Sequence, residues 1–134
     1  MRSSTRYRVL CVDDNLETVV TLATVLDLCG FEARACTDGL AALEEFELFV
    51  PDACILDIIM PGLDGYELAR RMRSKAVHRP LVLLAASGAN GPECEARAAG
   101  FDATYAKPVD PQAIIDLLSH LLDQAFRTQP TAFE

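Results

Sequence analysis

Five short strand-like runs, each followed by a stretch with helical spacing, limit this chain more than any other feature. The strands fall at residues 8–12, 31–36, 52–57, 81–85 and 102–106. Helices are expected at 16–29, from a cap at Asp38 to about 49, at 65–76, 92–100 and from 111 onward. Apolar residues recur on one helical face at Leu16, Val19, Val20, Ala23 and Leu26, and again at Ile114, Leu117, Leu118, Leu121 and Leu122. Gly30 fits a helix stop, and Asp64 with Glu67 forms a capping-box pattern. Strict strand–helix alternation implies an α/β fold. Its sheet is parallel, with helices on both faces and right-handed crossovers.

The chain has 134 residues, enough for one domain and one core. No internal repeat and no linker interrupts it. The expected domain runs over 8–126, with flexible ends at 1–7 and 127–134. The net charge of −8 and the lack of any basic run argue against a nucleic-acid surface. No apolar run reaches the length of a membrane span, and the N-terminus lacks the apolar centre of a signal peptide. A cytoplasmic protein is expected. The five cysteines show no metal-binding spacing and read as small buried hydrophobes in a reducing compartment. Nothing specific supports a redox switch through Cys36 or Cys94.

The strand ends carry the chemistry. Residues Ala53 to Leu56 are apolar, Asp57 ends the run, and Pro61 and Gly62 set the loop beyond it. In open parallel sheets, function gathers at the carboxyl ends of the strands. That rim would hold Asp13-Asp14, Asp57, Ala85-Ala86-Ser87 and Lys107. Three carboxylates in one crevice repel each other, raise one another's pKa or recruit a cation. Mg²⁺ fits, because it takes few protein carboxylates and keeps waters. With Lys107 as a point charge, the set suits an incoming dianionic phosphoryl group, which Asp57 would attack to give an acyl phosphate. Taken alone, Asp13-Asp14 is more often a helix-capping pair. The rest of the rim gives the pair a function. His78 and His120 have no partner in sequence and read as surface residues, as do the arginines from Arg70 to Arg73.

Together, Asp13-Asp14, Asp57 with Met60-Pro61-Gly62-Leu63-Asp64-Gly65, and Lys107-Pro108 resemble the receiver domain of two-component response regulators over about residues 8–122. The stretch from Gly100 to Asp110 also looks like receivers of hybrid sensor kinases. The resemblance implies a flavodoxin-like (βα)5 fold with strand order 2-1-3-4-5. It implies that Asp57 takes a phosphoryl group from a histidine of a kinase or a phosphotransfer domain. Asp14 and Asp57 would bind Mg²⁺ directly, Asp13 mainly through water, and the carbonyl of Ile59 would be a further ligand. Lys107 would pair with a phosphoryl oxygen. Signalling would pass to an output protein through the fourth predicted helix, the fifth strand and the last helix. No separate enzymatic activity is implied beyond accepting the phosphoryl group and slowly losing it.

Two positions depart from that family. Where receivers carry Thr or Ser at the end of the fourth strand, this chain has Ala85, which has no donor. Ser87 lies two residues on, roughly 6–7 Å further along an extended strand. The switch aromatic would fall at Thr104. Tyr105 comes one residue later and therefore points to the other face. These departures favour a second reading, a receiver-like interaction module that does not depend on phosphorylation. A hydrolase with an Asp-x-Asp nucleophile on its first strand does not fit the adjacent aspartates here. No GxGxxG follows that strand either, which argues against a dinucleotide-binding domain.

Overall fold

A computed structural model describes residues 6–87, 99–107 and 110–127, and the side chain of Ser87 lies outside that description. The elements are β1 (Arg8–Val12), α1 (Leu16–Leu28), β2 (Glu32–Cys36), α2 (Gly39–Phe49), β3 (Ala53–Asp57), α3 (Gly65–Lys75), β4 (Val82–Ser87), β5 (Ala103–Ala106) and α4 (Pro111–Arg127). The helix expected to begin at Pro92 lies outside the described residues, except at its end, as do Cys94 and Pro108.

The five strands form one sheet in the order β2-β1-β3-β4-β5, the order expected. All four pairings are parallel. β3 lies at the centre, and all five of its residues are buried, as befits a strand with helices on both sides. On one face, Leu10, Cys54, Leu56, Leu83 and Ala85 pack with Phe46 of α2 and Leu68 and Met72 of α3. On the other, Val9, Cys11, Ile55 and Leu84 pack with Val19 and Leu26 of α1 and Leu118 and Leu122 of α4. Alternate strand residues serve opposite layers, so Val9–Val12 of β1, Ala53–Leu56 of β3 and Val82–Ala86 of β4 are all apolar.

Local chemistry sets the helix starts. The side chains of Asn15, Asp38 and Asp64 accept hydrogen bonds from the backbone N–H groups of Thr18, Ala41 and Glu67, at 2.9, 2.8 and 2.9 Å. The expected box at Asp64 is only half made. The Glu67 carboxylate turns instead to Arg71, at 3.0 Å, and to Arg70.

Three sequence expectations need correction. On α1, Val19, Ala23 and Leu26 are buried, but Leu16 and Val20 are exposed. A helical stripe shows which side faces inward but not how wide the neighbouring surface is. Cys29 is exposed at the end of α1, while Cys11, Cys36 and Cys54 are buried as expected. Arg73 is not part of a solvated face. Its guanidinium donates to the carbonyls of Leu81, at 2.6 Å, and Gly100, and to Asp102 at 3.0 Å.

Candidate functional site

Register brings the rim together. Val12 lies opposite Leu56, so Asp13, the next residue, stands level with Asp57. Asp57 lies opposite Ala86, and Ala86 opposite Tyr105. Lys107 follows immediately after β5, at the same edge. Asp13, Asp14 and Asp57 each offer a carboxylate oxygen within 4.8 Å of the others. Asp13 and Asp57 are buried, and Asp14 is exposed.

Asp13, Asp57 and Lys107 are held in place. One oxygen of Asp13 accepts the N–H of Asn15 at 2.9 Å, and the other accepts Lys107 Nζ at 2.7 Å. Lys107 Nζ also lies 3.3 Å from Asp57 Oδ2. The N–H of Ile59 donates to Asp57 Oδ1 at 3.4 Å. Below the loop, the N–H of Gly65 donates to the carbonyl of Ile58 at 2.9 Å. A Cβ on Gly65 would come within 2.6 Å of the Ile58 Cα. Only glycine lets α3 begin so close behind Asp57.

The charges do not balance. Burial, and next the charge of Asp13, raise the Asp57 carboxyl above its ordinary value, and Lys107 only partly offsets them. Burial pulls the Lys107 ammonium down, but its hydrogen bond to Asp13 and the charges of Asp13 and Asp57 outweigh that and hold it above the usual lysine value. One lysine shared between two buried acids, with a third acid exposed beside them, leaves net negative charge in a crevice of hard oxygen donors. Such a donor set fits Mg²⁺.

The two departures from the receiver pattern fall where the strand pairing puts them. Ala85 is fully buried and lies opposite Thr104. Tyr105 packs in the layer between the sheet and α1 and α4. It lines a groove of about 680 Å³ with Asp13, Thr18, Ala86, Lys107 and Ile114. Burial, then the charges of Cys11, Asp13 and Asp57, push its hydroxyl pKa up, so it stays protonated. Burial likewise raises the Cys36 thiol to about 11 and those of Cys11 and Cys54 still higher. Buried thiols of this kind react poorly, which argues against a switch at these three.

The family model for the response regulator receiver domain matches residues 9–119. This chain belongs to the response regulator receiver family. As a receiver it is 33% identical over 123 residues to the response regulator MprA of Mycobacterium leprae, covering 92% of this chain and 53% of that protein. It therefore spans about half the length of the curated relatives it matches. A CheY-like receiver domain from Methanospirillum hungatei superposes with a TM-score of 0.87 at 22% identity, covering 93% of this receiver and all of that chain. A putative response regulator from Chloroflexus aurantiacus is 32% identical, with a TM-score of 0.75 over 88% of this receiver and 98% of that chain.

The sequence had marked Asp13, Asp14, Asp57 and Lys107, and the receiver brings all four to one rim. Nothing in the sequence singled out the Asn15 N–H; Gly65 stood only as part of the motif after Asp57, and Arg73 read as a surface residue. Gly65 did carry a signal: a glycine is a poor first residue for a helix unless something crowds it.

Proposed function

We propose that this receiver accepts a phosphoryl group on Asp57 from a phosphohistidine of a kinase or phosphotransfer domain, and signals to an output protein through altered contacts. One observation carries the reading: the three carboxylates lie together, with a lysine amine touching two of them. Asp13, Asp14 and Asp57 would hold Mg²⁺, with the Ile59 carbonyl as a further ligand. The ion supplies charge that lets an anionic donor approach the acids. A carboxylate oxygen of Asp57 attacks phosphorus as the bond from phosphorus to the histidine nitrogen breaks. The electron pair leaves on the imidazole, which takes up a proton, and an acyl phosphate remains. Lys107 turns from its acids to a phosphoryl oxygen, and the Asn15 N–H keeps Asp13 in place meanwhile.

Ala85 favours a second reading, a module that binds partners whether or not it is phosphorylated. A lost hydrogen bond to a charged group costs about 1.5–3 kcal/mol, which slows transfer without forbidding it. A cytoplasmic location accords with this chemistry. Among the described residues no helix is long and apolar enough to cross a membrane. The test is to add Mg²⁺ and acetyl phosphate and measure intact mass. A gain of one phosphoryl group that Asp57→Asn abolishes supports the first reading. No gain, with Mg²⁺ still bound, supports the second.

A further inference from the structure

The hydroxyl missing from β4 has a counterpart one strand away. Ala85 and Thr104 are register partners on parallel neighbours. Ala103 and Tyr105 belong to the layer under α1 and α4, so Thr104, between them, faces the opposite side. Ala85 belongs to that side. Thr104 is half-buried, and no hydrogen bond engages its hydroxyl among the described residues. Three residues further on, Lys107 from the same strand end already reaches Asp57. The end of β5 therefore borders the acid pocket.

Neighbouring strands stand about 4.8 Å apart. A hydroxyl on Thr104 therefore stands off by roughly one water from the place a hydroxyl on residue 85 would occupy. Alanine is smaller than the Ser or Thr it replaces, and a bridging water is nearly as good a partner as a direct hydrogen bond. We propose that Thr104 is a positioning residue for phosphoryl transfer, which through one bound water supplies the hydrogen bond that Ala85 cannot give. This rests on Asp57 being the phosphoacceptor. The hydroxyl that β4 lacks is then supplied from β5.

The test compares the wild type with Thr104→Val, Thr104→Ser, Ala85→Thr and the double variant Ala85→Thr/Thr104→Val. Two quantities are read with saturating Mg²⁺: the phosphorylation rate from acetyl phosphate by intact mass, and the affinity for beryllofluoride by calorimetry. Thr104→Val, which keeps the shape, is expected to lower both about threefold to tenfold. Thr104→Ser stays within about twofold of wild type. With Ala85→Thr in place, a direct hydroxyl replaces the water and Thr104→Val has no further effect. Equal values for Thr104→Val and wild type, or the same loss in both backgrounds, overturn the proposal. A wild type that takes up no phosphoryl group at all overturns the reading of Asp57 and this proposal with it.

Discussion

A Cβ on Gly65 would lie 2.5 Å from the carbonyl oxygen of Asp57. The start of α3 and the end of β3 are packed backbone to backbone, and neither has a flexible side chain to yield. Gly65→Ala is therefore expected to cost about 1–3 kcal/mol in urea unfolding, and to slow phosphorylation because relief comes by moving residue 57. Gly62 provides the contrast. Its φ is +79°, and nothing lies within 4 Å of its missing Cβ. Gly62→Ala should cost about 1–2 kcal/mol of backbone strain and leave the phosphorylation rate nearly unchanged.

Asp57 destabilises the fold it serves. Its carboxyl holds a proton more tightly in the folded protein than in the unfolded chain, because of burial and Asp13. The native state therefore binds more protons over the window between the ordinary carboxylate value and the raised one. Stability falls as pH rises through that window. Asp57→Asn removes the effect, and Lys107 keeps Asp13 as a partner at 2.7 Å. Without Mg²⁺, the variant should melt at a higher temperature than wild type at pH 7. The gap should close below about pH 4, and adding Mg²⁺ at pH 7 should narrow it.

Lys107 sits on the oxygens that would hold a metal. Removing its charge from beside Asp13 and Asp57 leaves more negative charge for a cation to neutralise. By Coulomb's law at water-like screening, a monovalent charge about 5 Å from a divalent ion is worth about tenfold in affinity. Lys107→Ala is expected to tighten Mg²⁺ binding by about that factor in a calorimetric titration, while slowing phosphoryl transfer. Chelation with EDTA should abolish transfer in both proteins.

Arg73 fastens α3 to the two strands that carry Ala85 and Thr104. It bonds Leu81 before β4, and Gly100 and Asp102 before β5. Asp102 in turn accepts the N–H of Leu83 at 2.8 Å. Arg73→Ala should cost about 1–3 kcal/mol, seen as a lower urea midpoint at unchanged slope. Arg73→Lys should recover little, since an ammonium lacks the planar fork that reaches three acceptors.

The elements and the acid rim were legible because they depend on short-range signals, whereas the order of the strands came only from the resemblance to receivers. Pro61 and Gly62 set the loop after β3, Asp38 and Asp64 cap helices, and apolar runs mark buried strands. The Arg73 fastening was not legible. Two of its three acceptors are backbone carbonyls, 8 and 27 residues away, and a carbonyl has no side-chain signature. The exposure of Leu16 and Val20 was hidden for a related reason, since it depends on which neighbours the fold brings against α1. The offset of Tyr105 was readable, because on a strand one residue decides the face. The pairing of Ala85 with Thr104 became visible only when β4 and β5 were set side by side.

The central claim is that Asp57 is the phosphoacceptor and needs a divalent ion to become one. The most direct measurement is to incubate the protein with acetyl phosphate, reduce it with borohydride, and map the peptides by mass. An acyl phosphate at Asp57 is reduced to homoserine. The account predicts homoserine at position 57 with Mg²⁺ present and none with EDTA. Homoserine at another acid, equal yield without the ion, or none under either condition would contradict it.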